Sequence, residues 1–162
     1  MIHRILTLLA VLGLAACVEE TPTETAAPSL ASTSYTPEDQ QCMAEAMYHE
    51  ARGTGSVGMR AVGEVVLNRA FHPKYPGTIC GVIDHRMGGR CQFSYRCDGR
   101  PDTNFRETDE FHKAQVVALE LLTRRGEDIT RGALYYHAIG ITPEWFRSLS
   151  PTGQFGKHLF YK

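Results

Sequence analysis

Glu50 is the residue whose type and setting point most directly to chemistry. The preceding residues carry Met43, Ala46 and Met47 at helical spacing, so the pattern predicts a helix whose last turn holds Glu50. Partial burial among apolar neighbours disfavours a carboxylate and raises its pKa, and the negative end of the helix dipole acts in the same direction. A glutamate held protonated near neutral pH is a candidate general acid.

Other interpretations of this segment compete with the general acid. Glu50 could instead form a surface ion pair with Arg52 or Arg60. The dipeptide His49-Glu50 resembles the start of a zinc-protease helix, but Gly53 stands where the second histidine is required, so that interpretation fails. A metal-dependent amidase stays open because histidines are available as ligands. These are His49, His112, His137 and His158.

Three helices must position these groups. The run Thr36-Pro37-Glu38-Asp39 combines a capping hydroxyl, a proline at the first helical position and an acidic first turn, so a helix begins there. Apolar residues on one face of 57–69 predict a second helix. Thr108 caps a predicted third helix that ends near Gly126.

The remaining segments are extended or irregular. Residues 133–138 and 158–161 are predicted to form short strands or extended edges. The Gly- and Arg-rich stretch from 84 to 105 is irregular, and such a long stretch in a small domain usually belongs to a functional surface. The predicted fold class is therefore α+β, mainly helical with a short β-sheet.

Four cysteines fall in the predicted domain, and an even set in an exported protein favours two disulfides with three possible connectivities. We expect Cys91 to pair with Cys97, closing a short loop, and Cys42 to pair with Cys80. A zinc site that combines Cys91 and Cys97 with His85 is the competing interpretation, but it lacks a close cysteine pair.

The N-terminus is typical of an export signal. Residues 1–16 join a basic start to a short apolar run that ends in Leu14-Ala15-Ala16-Cys17, which resembles the lipobox of bacterial lipoproteins. By that resemblance Cys17 becomes the lipidated N-terminus, and Val18 after it matches outer-membrane sorting if the host is Gram-negative. A plain secretory signal is the alternative. Residues 17–35 then form a flexible linker, and 36–162 form the folded domain.

Composition limits the classes of partner. The chain has 162 residues, enough for one domain after the leader. Seventeen basic and eighteen acidic residues give a net charge of -1, so no global charge directs the protein to nucleic acid. Recognition must come from a local site.

Several motifs together resemble the SleB-like cell wall hydrolase family, which includes spore cortex-lytic enzymes. They lie in order along the whole predicted domain, which is more specific than any one of them. The motifs are YHEARG at 48–53, GMRAV at 58–62, VVLNR at 65–69, TICGVI at 78–83, CQFSY at 91–95, GALYYH at 132–137 and GKHLFY at 156–161.

The resemblance implies a lysozyme-like α+β domain that cleaves glycan strands between N-acetylmuramic acid and N-acetylglucosamine, often as a lytic transglycosylase. It matches the catalytic glutamate to Glu50 and implies no metal or other cofactor. Many members carry a second glutamate just after the Arg-Gly pair, where this chain has Thr54. That departure bears on substrate affinity more than on the class of reaction.

Polar and aromatic residues of the later motifs are expected to line a groove for the glycan, because sugar faces stack on rings and hydroxyls need fixed partners. The expected lining residues are Gln92, Ser94, Tyr135, Tyr136 and His137. His137 and His158 are equally open to a structural hydrogen-bonding role, and the tyrosines to simple strand packing.

The reaction outcome depends on a second carboxylate. Hydrolysis normally needs two, and Glu64, Asp98 and Asp102 carry no motif that marks them. The absence of a marked partner favours a transglycosylase that works with one glutamate. The alternatives are a muramidase, the amidase and a non-catalytic peptidoglycan-binding lipoprotein. Expected partners are the glycan strands, a membrane through lipid on Cys17, and a regulatory protein of unknown identity.

Overall fold

The computed structural model of the protein describes residues 34–99 and 104–162. The predicted signal sequence, the lipidation of Cys17, nearly all of the linker and the candidate carboxylate Asp102 lie outside the described residues. Within the two described ranges, no helix has the length and apolar character needed to cross a bilayer.

Helices make up most of the domain. Their bounds are α1 (Pro37–Ala51), α2 (Gly55–Ala70), α3 (Ile79–Ile83) and α4 (Asp109–Thr123). Short 3-10 helices span Ser94–Arg96, Asn104–Glu107 and Glu144–Ser148. The three long helices are those that the sequence predicts, whereas α3 is an additional element.

Local capping explains where two of the long helices begin. Thr36 Oγ1 accepts a hydrogen bond from Asp39 N at 3.1 Å, and the Asp39 carboxylate accepts one from Thr36 N at 3.0 Å, which completes a capping box. Thr108 Oγ1 accepts a bond from Phe111 N at 3.2 Å. Both predicted helix starts are confirmed.

The core lies where α1, α2 and α4 pack against one another. Its fully buried side chains include Met43, Met47, Val62, Val66 and Leu121. Gly63 of α2 faces this contact, where a methyl group would overlap Met47 and lie 2.7 Å from Leu121 Cδ2. The glycine therefore allows the helices to approach closely.

Three antiparallel strands form a sheet in the order β3-β5-β4, with β3 at Tyr135–Ala138, β4 at Pro151–Phe155 and β5 at His158–Tyr161. The two predicted extended segments are β3 and β5, and Tyr136 pairs with Phe160. The strand β4 was not predicted, because its proline and glycine are rare in strands except at edges and bulges. It is indeed an edge strand with an irregular register between Pro151 and Gly153. The mainly helical α+β prediction is confirmed.

The disulfides have the expected pairing. Cys42–Cys80 joins α1 to α3, and Cys91–Cys97 closes a loop at the irregular stretch. Because Cys91 and Cys97 bond to each other, the alternative zinc site is wrong. The stretch also contains a hairpin of two short strands, β1 (Arg86–Met87) and β2 (Arg90–Cys91).

Candidate active site

A groove of about 560 Å³ opens beside the last turn of α1. The helices α1 and α2 supply one lining residue each, and the strand β3 supplies two. The β1–β2 hairpin and the 3-10 helix at 144–148 form further parts of its wall. The lining residues are Glu50, Arg69, Met87, Gln92, Tyr135, Tyr136, Trp145, Ser148 and Leu149.

Glu50 is a partly buried carboxyl group in this groove. Burial is the largest influence and raises its pKa, since removal from water disfavours the charged form. The Tyr136 hydroxyl donates a hydrogen bond to Glu50 Oε2 at 3.2 Å, which lowers the pKa in part, as does the positive charge of Arg69. The net result is a carboxyl group that keeps its proton to higher pH than an exposed glutamate.

The ion pairs proposed as an alternative for Glu50 do not form. The Arg52 guanidinium instead lies over the ring of Tyr48, 5.3 Å from its centroid. Arg60 instead pairs with Glu64 at 3.2 Å. Glu50 is therefore not part of a surface salt bridge with either arginine.

Tyr136 holds the Glu50 carboxyl in place. It lies on β3, and its ring packs against Phe160 and the edge of His158 at centroid distances of 5.5 and 5.3 Å. Burial and the neighbouring carboxylate raise the pKa of Tyr136 well above 10.0. The phenol therefore stays neutral and remains a hydrogen-bond donor to Glu50.

Arg69 is a site residue that the sequence analysis missed. Its side chain is 6% exposed, and Nε donates to the Leu134 carbonyl at 2.8 Å. The guanidinium lies over the rings of Tyr75 and Phe93, at 5.4 and 5.9 Å. It is thus a fixed positive charge in the groove wall. The sequence feature that could have identified it is an arginine at the end of an otherwise buried, apolar helix.

Three of the five predicted groove residues line the groove: Gln92, Tyr135 and Tyr136. Ser94 is exposed at the start of a 3-10 helix and is not among the lining residues. His137 is not among them either, because its ring stacks on Tyr161 and its Nε2 lies 3.0 Å from the Tyr161 hydroxyl. Four further lining residues were not predicted from the sequence: Met87, Trp145, Ser148 and Leu149.

Glu64 does not lie with Glu50. Its side chain is fully buried and forms salt bridges with Arg60 and Arg125, each at 3.2 Å. Burial raises its pKa, and Arg125 is the largest opposing influence. Asp98 is exposed and outside the groove lining. Among the described lining residues, Glu50 is the sole carboxylate.

Thr54 stands at the turn between α1 and α2. Its hydroxyl donates to the Ala51 carbonyl at 2.6 Å, so it binds the backbone of the preceding helix. It does not line the groove. Across residues 34–99 and 104–162, no three histidine, cysteine, aspartate or glutamate side chains are arranged to hold a metal ion.

Comparison with known proteins identifies the family of this domain. Residues 53–161 match the cell wall hydrolase family. The spore cortex-lytic enzyme of Halalkalibacterium halodurans is 35% identical over 127 residues, which cover 78% of this chain and 35% of the relative. A spore cortex-lytic enzyme of Bacillus cereus is 33% identical over 129 residues, which cover 79% of this chain and 46% of the relative. The chain thus spans less than half the length of these relatives.

Two solved structures resemble this chain over most of its length, and nearly all of each solved chain is covered. The catalytic domain of the germination-specific lytic transglycosylase SleB from Bacillus anthracis has a TM-score of 0.61 and 32% identity, covering 79% of this chain and 97% of that one. The catalytic domain of the Bacillus cereus SleB protein has a TM-score of 0.62 and 28% identity, covering 84% and 98%.

Proposed function

This chain belongs to the cell wall hydrolase family, and on that premise we propose that it cleaves peptidoglycan glycan strands as a lytic transglycosylase. The bond cleaved joins N-acetylmuramic acid to N-acetylglucosamine, and Glu50 is the general acid and base. The observation that carries the proposal is a single carboxyl group of raised pKa, hydrogen-bonded to Tyr136, in a groove. The family match begins at residue 53, so the role of Glu50 rests on this geometry.

The first step is proton donation. Glu50, held protonated by burial, gives its proton to the oxygen that bridges the two sugars, and the bond from that oxygen to C1 of the muramyl residue breaks. Positive charge develops at C1 while Glu50 becomes a carboxylate. The hydrogen bond from Tyr136 and the charge of Arg69 stabilise that carboxylate.

The second step closes a ring. The 6-hydroxyl of the same muramyl residue attacks C1, and its proton returns to Glu50, which is then ready for another cycle. The product ends in a 1,6-anhydro sugar, and no water is consumed. A site with one carboxylate suits this route, because hydrolytic mechanisms normally use two carboxylates at a defined separation.

The groove wall suits a carbohydrate. Trp145 is 43% exposed and lies 5.9 Å from Tyr135 between ring centroids, so aromatic surface is open to a sugar face. Gln92 and Ser148 add polar groups that can pair with sugar hydroxyls. We infer that these residues bind the glycan on either side of Glu50.

We also propose that the enzyme works in the cell envelope. Two disulfides in a small domain favour an oxidising compartment outside the cytoplasm. The segment that ends in Cys17 predicts a lipid anchor, which in a Gram-negative host would hold the enzyme at the outer membrane, facing the periplasm.

Digestion of purified peptidoglycan by the full chain tests the reaction. We expect anhydromuropeptides from the wild type, identified by mass spectrometry, and none from Glu50→Gln. Glu38→Gln is the matched control, because Glu38 is an exposed glutamate on the same helix. Loss of activity in both variants would contradict a specific role for Glu50.

Other products would identify other reactions. Fragments heavier by one water would mean a muramidase, with Asp98 and Asp102 as the carboxylates to replace next. Free stem peptides, lost on addition of a chelator, would mean an amidase. No products from the wild type, together with retention on the polymer, would mean a binding lipoprotein.

A further inference from the structure

The β1–β2 hairpin forms one wall of the groove. Met87 from β1 and Gln92, which follows β2, are both lining residues. The turn at Gly88 and Gly89 has positive φ angles of 57° and 77°, which glycine adopts without strain. The Cys91–Cys97 disulfide anchors the other end. The hairpin therefore presents its side chains from a constrained backbone.

The register of the hairpin places Arg90 on the same face as Met87, which lines the groove, although Arg90 is not itself a lining residue. Arg90 lies directly opposite Met87, and residues directly opposite in an antiparallel pair project from the same face. The pairing continues one step further, since Gln92 N donates to the His85 carbonyl at 3.0 Å. Alternate residues share a face, so Arg90 also shares one with Gln92. Arg86 lies opposite Cys91 and projects from the other face.

The charge of Arg90 is available to a ligand. Its side chain is exposed. The salt bridges found among the described residues involve other basic residues and not Arg90. Arg96, a few residues further along the same loop, is instead held by Asp84 at 2.6 Å and by Glu45 at 3.6 Å. The chain as a whole has a net charge of -1, so Arg90 is a local cation and not part of a generally basic protein.

We propose that Arg90 binds a carboxylate of the stem peptides that branch from the glycan, so that the enzyme prefers strands with ionised stems. The inference rests on the proposed function. The N-acetylated sugars are neutral, and the lactyl group of the muramyl residue is amide-linked to its stem. The negative charges of the polymer are therefore those of the stem, and an arginine on the same hairpin face as the groove-lining Met87 can pair with them.

The test compares one polymer in two charge states. Native peptidoglycan is compared with a modified form of the same material. In the modified form the amines are acetylated, and the stem carboxylates are converted to amides by a carbodiimide and ammonium. The measured quantity is the ratio of kcat/KM on native to amidated polymer. For the wild type we expect a ratio of about two to five, because an exposed ion pair contributes little free energy, and we expect the difference to lie mainly in KM. Salt screens such a pair, so the ratio should fall at high salt.

Variants of the two hairpin arginines then separate the proposal from general charge effects. Arg90→Ala should bring the ratio to about one, and Arg90→Lys should restore part of it. Arg86→Ala removes the same charge from the other face and should leave the ratio as in the wild type. A wild-type ratio of one, equal effects of the two alanine variants, or an unchanged ratio in Arg90→Ala would overturn the proposal.

Binding separates failure of this inference from failure of the proposed reaction. Co-sedimentation of the Glu50→Gln chain with each polymer, with and without Arg90→Ala, measures stem recognition with no cleavage. If the wild type releases no product but Arg90 still sets the binding preference, the reaction is wrong and stem recognition holds. If cleavage occurs but neither assay depends on Arg90, stem recognition is wrong. Thermal unfolding checks that each variant is folded.

Discussion

Replacement of Tyr136 by phenylalanine tests the hydrogen bond that holds the candidate acid. The substitution keeps the ring contacts with Phe160 and His158 and removes only the hydroxyl that donates to Glu50 Oε2 at 3.2 Å. That hydrogen bond favours the carboxylate and lowers the pKa of Glu50. Loss of the hydrogen bond should therefore raise the pKa of Glu50 further.

The size of the change follows from the type of bond. A hydrogen bond to a charged group contributes about 1.5–3 kcal/mol, and this partly buried, rather long bond belongs at the lower end. One pKa unit corresponds to about 1.4 kcal/mol, so the pKa of Glu50 should rise by about one unit. Because the acid must be protonated to act, the alkaline limb of the kcat profile should move upward by the same amount.

The assay is release of anhydromuropeptides by wild type and variant across pH. Tyr135→Phe is the matched control, since Tyr135 lines the same groove and does not hydrogen-bond to Glu50. The control can lower the rate but should leave the alkaline limb in place. A limb that stays in place or moves downward in Tyr136→Phe would refute the reasoning, as would the same upward shift in Tyr135→Phe.

Three further changes probe the fold and the groove. Gly63→Ala should destabilise the domain by about 1–3 kcal/mol in urea unfolding, because the methyl group meets Leu121 in the helix contact, and an unchanged midpoint would contradict that packing. Joint replacement of Cys42 and Cys80 by serine opens a loop of 38 residues and should lower stability by about 3–4 kcal/mol; a loss below 1 kcal/mol would count against the disulfide. Trp145→Ala should raise KM for the glycan by about two- to tenfold with little change in kcat, and an unchanged KM would remove Trp145 from the binding surface.

Much of the candidate site could not be predicted from local sequence patterns. Arg69 was recognised as a site residue only from its buried position beside Tyr75 and Phe93, because an arginine at the end of a helix is ordinarily a surface residue. His137 lies in the same sequence motif as Tyr136, yet its ring stacks on Tyr161 whereas Tyr136 hydrogen-bonds to Glu50. Strand neighbours can have different surroundings, and sequence spacing does not report what packs against each face.

Local chemistry encoded in the sequence determined the helices, the two patterned strands and the apolar setting of Glu50. Capping by Thr36 and Thr108 acts over three residues, and apolar periodicity needs only the element itself. Tertiary structure alone decided that Tyr136, 86 residues away, donates to Glu50, and that a hairpin and a 3-10 helix complete the groove. Such contacts join distant segments, and their geometry exists only after the helices have packed and the sheet has closed beside them.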